Sequence, residues 1–78
     1  MTLEYAVVYE QTPNNYSAYV PDLPGCVTTG QTLEEVERNM REAIAFHIES
    51  LREYGEPVPE PRTSTGVVKV AEPLAAGR

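Results

Sequence analysis

The sequence predicts an α+β domain of two layers, in which one long helix covers one face of a four-stranded β-sheet. Short segments with β-branched and aromatic residues come first, and clusters of turn-forming residues separate them. A long segment with apolar residues every three or four positions follows, and a valine-rich segment comes after it. The predicted order of elements is therefore β-β-β-α-β.

Three of the predicted strands precede the helix. Residues 1–10 place tyrosine and aliphatic side chains at every second position, which is typical of a strand. Residues 16–20 and 26–30 are rich in tyrosine, valine and threonine, so we expect the second and third strands there. Turn formers fill residues 11–15, and the prolines and glycine of residues 21–25 end the second strand. Such short links predict an antiparallel meander.

The helix is the clearest prediction. Thr32 and Glu35 form a capping box at its start, Gly55 has the position of a left-handed C-terminal residue, and Pro57 prevents continuation. The spacing of the apolar residues indicates one face packed on a core. That apolar face consists of Leu33, Val36, Met40, Ala43, Ile44, His47, Ile48, Leu51 and Tyr54.

A fourth strand is expected at residues 66–71, after a stiff proline-rich connector at residues 56–61. A right-handed crossover would make this strand parallel to the first and third strands. The roughly ten extended residues between the helix and this strand are long enough to place it beside the first strand, which gives the order 3-2-1-4. We expect residues 1–71 to form a single domain and residues 72–78 to be a frayed tail.

Charge and composition favour a protein partner. The net charge of −6 and the pI near 4.6 would repel a phosphate backbone and attract a basic protein, so no direct nucleic-acid binding is expected. The single Cys26 excludes an internal disulfide and is typical of a reducing compartment. The longest apolar run, residues 6–9, is too short to cross a membrane. We therefore expect a cytoplasmic protein.

The sequence offers no set of residues for catalysis. His47 is the single histidine and lies within the apolar helical face, where a packing role is expected. Asp22 is the single aspartate, whereas nuclease-like folds of this strand order bind divalent metal through several clustered carboxylates. We expect no metal, no cofactor and no catalytic residue. The sequence thus predicts a binding protein and not an enzyme.

One helix covers only one face of the sheet, so we expect the other face or an edge strand to contact a second copy or a partner. The alternative is an exposed second face, because scattered exposed apolar residues are common. We predict a homo-oligomer, most simply a dimer. The candidate interface residues are Tyr5, Tyr9, Tyr16, Tyr19, Asp22, Leu23, Val27, Thr28 and Thr29.

Two runs of the sequence together resemble the HicB antitoxin family: YSAYVPDLPGC at residues 16–26 and GQTLEE at residues 30–35. The resemblance extends through Asn39, Glu42 and Ala43 to Gly55, and it covers most of residues 3–70. It implies a partial ribonuclease-H-like fold without the catalytic carboxylates. It also implies a function, the neutralisation of a small basic ribonuclease toxin that cuts messenger RNA, with the catalytic histidine on the toxin.

Many members of the HicB family carry a C-terminal module that binds DNA, whereas this sequence ends soon after the predicted fourth strand. DNA binding is therefore not expected of it. Two functions are compatible with these observations. The first is an antitoxin that binds a ribonuclease toxin, and the second is a stand-alone oligomeric binding protein of the same fold with no toxin partner.

Overall fold

The computed structural model describes residues 2–73. Three strands, β1 (Val8–Gln11), β2 (Tyr16–Tyr19) and β3 (Val27–Gly30), form an antiparallel sheet in the order β1-β2-β3. Helix α1 (Leu33–Glu53) packs on one face of this sheet, against β3 and β2. The α+β class, the three-strand meander and the long helix are confirmed. Most of the predicted tail, residues 72–78, lies outside the described residues.

The strand register decides which side chains face the helix. Ala18 is buried beneath the helix, and its partners across the sheet are Tyr9 on β1 and Thr28 on β3. Because directly opposed residues point to the same side of a sheet, these three side chains share the helix-facing side. Residues one position away on each strand point to the opposite side, which we call the open face.

The start of the helix satisfies its free backbone N–H groups with side chains. The Thr32 hydroxyl oxygen accepts a hydrogen bond from the Glu35 N–H at 3.0 Å. The Glu35 carboxylate in turn accepts from the backbone N–H of Gln31, one residue before the cap. The capping box predicted from the sequence is thus present, with its return bond shifted by one residue.

The helix ends in a Schellman motif. Gly55 has a φ of 70°, in the left-handed region that glycine adopts readily. Its N–H donates to the Arg52 carbonyl at 3.1 Å, and the Glu56 N–H donates to the Leu51 carbonyl at 2.8 Å. The predicted C-terminal role of Gly55 is confirmed.

The turn between β2 and β3 contributes a residue to the core. Val20 and Cys26 close this turn through a backbone hydrogen bond of 3.1 Å, and Gly25 takes a φ of 84° within it. Leu23, at the tip, reaches back under the helix and has no exposed surface. The core consists of Ala18, Val20, Leu23, Cys26, Val36 and Met40.

The predicted fourth strand is not formed. Residues 66–71 pair with no strand among the described residues, so the sheet has the order β1-β2-β3 and not 3-2-1-4. The side chains of Val67 and Val68 are 97% and 84% exposed. The physical reason is that hydrogen bonds to Asp22 hold Arg62 and Thr63 at the β2–β3 turn, and the residues that follow do not continue to the free edge of β1.

Within residues 2–73, the charged residues of α1 leave no stretch apolar enough to span a bilayer.

Gly30 permits the closest approach between the sheet and the helix. A Cβ atom at this position would lie 2.6 Å from the backbone N of Val36 and 2.9 Å from its Cα. Val36 is fully buried, so the helix would have to move away from β3 to make room. The short β3–α1 connection therefore depends on a glycine at position 30.

Gly30→Ala should lower the free energy of unfolding by about 1–3 kcal/mol, the usual cost of forcing an extra carbon into a packed contact. Gly66→Ala is the matched control, because its added Cβ would meet no atom within 4 Å. Urea denaturation of both variants followed by circular dichroism measures the difference. Equal midpoints for the two variants would show that the Gly30 contact is not tight.

Candidate protein-binding surface

The open face of the sheet carries one apolar row that crosses all three strands. Val8, Tyr19 and Val27 lie directly opposite one another in the register. Tyr19, on the central strand, is 41% exposed, and Val27 is 64% exposed. The next row, Glu10, Ser17 and Thr29, is polar. This face therefore presents an aromatic residue between two aliphatic ones, bordered by groups that form hydrogen bonds.

The four strand tyrosines predicted as interface residues do not share one surface. Tyr5 and Tyr16 pack against the core, and Tyr9 lies beside residues of the helix. Of the four, Tyr19 alone points to the open face. The aromatic surface that a partner can reach on the open face is consequently smaller than the sequence suggested.

Charged side chains of the helix affect the pKa of the Tyr9 hydroxyl. Burial raises the pKa of the Tyr9 hydroxyl above its ordinary value, and the nearby Glu37 carboxylate adds to the increase. The Arg41 guanidinium opposes this effect and lowers the pKa. Both charged groups belong to the helix, so Tyr9 is part of the boundary between β1 and α1.

Asp22 binds another part of the same chain. Its Oδ2 accepts hydrogen bonds from the backbone N–H groups of Arg62 at 2.8 Å and Thr63 at 2.9 Å, and its Oδ1 accepts from the Thr63 hydroxyl at 2.8 Å. We call these three bonds the Asp22 latch. These hydrogen bonds lower the pKa of Asp22, because they stabilise the ionised carboxylate. The backbone N–H of Thr63 has the largest effect, followed by the backbone N–H of Arg62 and the Thr63 hydroxyl.

A second hydrogen bond holds the connector a few residues before the latch. The Tyr5 hydroxyl donates a hydrogen bond to the Pro59 carbonyl oxygen. Burial raises the pKa of Tyr5, the Asp22 charge adds to this increase, and Arg52 counteracts it. The connector after the helix is thus fixed at two points, and sequence reasoning missed both because they join residues far apart in the chain.

The remaining predicted interface residues fall into three environments. Leu23 is fully buried in the core and is not available to a partner. Val27 and Thr29 lie on the open face, whereas the half-buried Thr28 points toward the helix. The carbonyl of Thr29 accepts a hydrogen bond of 2.9 Å from the side-chain amide of Asn39, so part of the β3 backbone is already occupied.

The helix presents a groove on the side of β1. Val7 and Tyr9 line it from the strand, and Met40 and Ile44 line it from the helix. A second, separate depression further along α1 is lined by the helix residues Ala45, Ile48, Glu49 and Arg52. We call the first of these depressions, between β1 and α1, the helix groove. The helix residues that line the groove are spaced three or four positions apart, as residues on one helical face are. The sequence did not predict a groove here because Glu37 and Arg41 are charged.

Residues associated with chemistry in the sequence are dispersed. Cys26 is buried in the core, and burial raises the pKa of its thiol. His47 is half-buried on the helix, in line with its place on the apolar face. Residues 2–73 contain no group of three or more histidine, cysteine, aspartate or glutamate side chains close enough to hold a metal ion.

The sequence profile of the HicB_like antitoxin of bacterial toxin-antitoxin systems matches residues 5–73. The chain belongs to the HicB-like antitoxin family. The structure of this HicB-like chain also resembles a solved one, the HicA3 and HicB3 toxin-antitoxin complex, with a TM-score of 0.67 and 35% sequence identity. That similarity covers 77% of this chain and 70% of the other.

Relatives of this HicB-like chain occur in a phage, an archaeon and a bacterium. It is 43% identical over 72% of its length to an uncharacterized 14.9 kDa protein in the rep-hol intergenic region of Haemophilus phage HP1, but it spans only 42% of that protein. It is 40% identical to a UPF0150 protein of Thermoplasma acidophilum over 73% of its own length and 84% of the relative. A UPF0150 protein of Synechocystis is 42% identical over 72% of both chains.

The Asp22 latch should depend on pH in a defined direction. A lowered pKa in the folded state means that the latch contributes fully above the ordinary aspartate pKa of about 3.9 and is lost as the pH falls through the lowered value. An NMR titration should therefore show the amide signals of Arg62 and Thr63 changing with a midpoint below 3.9.

Asp22→Asn should increase the hydrogen-exchange rate of the Arg62 and Thr63 amides at neutral pH, because a neutral amide is a weaker acceptor than a carboxylate. Glu60→Gln removes an exposed carboxylate from the same segment and serves as the control. Unchanged exchange in Asp22→Asn would contradict the latch.

Proposed function

We propose that this protein is an antitoxin that binds a small basic ribonuclease toxin and masks its active site, so that messenger RNA is no longer cut. Membership of the HicB-like antitoxin family carries this proposal, and the similarity to a chain of a toxin-antitoxin complex supports it. The role is one of binding and not of catalysis. We further propose that residues 1–71 act as one domain, in the cytoplasm, where messenger RNA is translated.

The charge of the chain supports a basic partner. The net charge is −6, and exposed glutamates line the helix surface, among them Glu34, Glu37, Glu42 and Glu49. Opposite charge on a partner accelerates the encounter between two proteins and orients them before close contact. An acidic inhibitor would also occupy a surface of the toxin that otherwise attracts the RNA backbone.

The open face of the sheet is the surface that we propose for the toxin contact. Tyr19 lies at its centre between Val8 and Val27, and aromatic residues flanked by smaller apolar ones are frequent centres of binding energy. Tyr19 and Val27 are already exposed, so no rearrangement of the core is needed to reach them. The protein also forms a homo-oligomer in this proposal, which leaves the open face for the toxin.

Tyr19→Ala should weaken the complex with the toxin about tenfold or more, chiefly through faster dissociation, because a central aromatic contact is lost. Tyr54→Ala is the matched control, since Tyr54 is 76% exposed at the end of the helix. The test is co-expression with a neighbouring gene for a short basic protein, scored by growth and messenger RNA integrity, followed by surface plasmon resonance. Tyr16 is unsuitable, because it packs against the core.

Rescue by the wild type and by Tyr54→Ala, but not by Tyr19→Ala, would support both the function and the surface. Equal rescue by all three chains would support the antitoxin function and reject the open face. Failure of the wild type to rescue, together with no complex on co-purification, would reject the antitoxin function and favour a stand-alone oligomeric binding protein.

The association rate should fall as the ionic strength rises, while the dissociation rate changes little. Physiological salt already reduces the screening length to about 8 Å, so measurements at lower and higher salt should separate the two rates. An association rate independent of salt would show that the acidic surface does not steer the encounter.

A further inference from the structure

The outer edge of β1 is the accessible edge of the sheet. β1 pairs with β2 on one side, and among the described residues no strand pairs with its other side. The outer edge of β3 is less accessible, because α1 packs on β3 and Asn39 donates a hydrogen bond to the Thr29 carbonyl. An unpaired strand edge presents a row of N–H and C=O groups that another strand can use.

The helix groove lies directly beside this edge. Its helical residues extend from Glu37 to Ile44, which corresponds to about 10 Å along the axis at ~1.5 Å per residue. Val7, Met40 and Ile44 give it an apolar floor beside the edge of β1, and Glu37 and Arg41 add charged groups to its lining. A strand added to β1 would therefore cover the groove with the side chains of one of its faces.

Residues 66–71 have the length and pattern that fit this site. Successive side chains on one face of a strand lie about 7 Å apart, so two of them fit within the length of the groove. Val68 and Val70 share one face of such a strand, and both are largely exposed in the structure, at 84% and 71%. Val67 and Lys69 share the other face, so one side of the strand is apolar and the other is mixed.

The Asp22 latch fixes the chain just before this segment, and in the structure the segment does not pair with β1 of its own chain. The connector passes Tyr5, just before β1, and reaches Asp22 in the turn between β2 and β3. Residues 66–71 begin three positions after Thr63, and in the structure their valines are exposed and do not line the groove of the same chain.

The shape of the chain agrees with a segment that extends outward. The radius of gyration is 16.5 Å and the longest dimension is 58 Å. A compact domain of this length would have a radius of gyration near 11.5 Å.

We propose that residues 66–71 of one copy form a fourth strand on β1 of a second copy, with Val68 and Val70 in the helix groove of that copy. A parallel orientation places Val67 beside Val8 and Lys69 beside Glu10, which pairs apolar with apolar and opposite charges with each other. Two copies exchange their segments reciprocally, as two-fold symmetry requires. This proposal rests on the homo-oligomer proposed above and identifies its contact surface.

Val68→Asp should raise the dimer dissociation constant at least tenfold, because a carboxylate would enter an apolar groove. Val67→Asp is the matched control and should have a smaller effect, since residue 67 would face away from the groove. Sedimentation equilibrium measures both, and circular dichroism checks that the exposed substitutions leave the fold unchanged. A dimer equally stable in both variants would overturn strand exchange while leaving the homo-oligomer standing.

The register has its own test. Lys69→Glu and Glu10→Lys should each raise the dissociation constant several-fold by placing like charges beside each other, and the double variant should restore it. Additive effects in the double variant would overturn the parallel register.

Cross-linking distinguishes exchange from docking within one chain. One pool carries Glu10→Cys and a fusion tag, the other carries Lys69→Cys, and both carry Cys26→Ala to remove the native thiol. After mixing, a short bis-maleimide should join the two pools into a product of intermediate mass. Glu34→Cys replaces Glu10→Cys in the control pair. No mixed product from a dimeric sample would overturn the exchange, and a monomer at all concentrations would overturn the homo-oligomer as well.

Discussion

The backbone of Gly30 lies so close to the first turn of the helix that a side chain of any size at this position would meet Val36. This contact fixes the helix over β3 and β2, because only Gln31 and Thr32 separate strand from helix. The side of the sheet at β1 is consequently left partly uncovered. The open edge of β1 and the groove beside it are thus consequences of where the helix begins.

The core that results is small. Its buried residues come from β2, the following turn and the first two turns of the helix, whereas the second half of the helix contributes side chains that are at most half-buried. A domain of this size buries a modest share of its surface and gains stability when a partner covers more of it. The exposed apolar side chains at the edge of β1 and on the helix are surfaces that such a partner could cover.

Asp22 gives the connector its course. Because a carboxylate can accept several hydrogen bonds, one side chain fixes two successive backbone N–H groups and a hydroxyl. The latch separates two surfaces with different proposed roles. We propose that the open face around Tyr19 contacts a toxin and that the segment after Thr63 pairs with another copy of the chain.

The sequence by itself determined the helix and its two ends, because Thr32, Glu35 and Gly55 act on backbone groups within a few residues. It also predicted the meander and three exposed residues of the open face, Tyr19, Val27 and Thr29. Only the tertiary structure decided which strand residues face the helix, since alternation within a strand does not say which side is covered. It likewise decided the course of residues 66–71, because the Asp22–Thr63 contact joins positions 41 residues apart, beyond the reach of any local pattern.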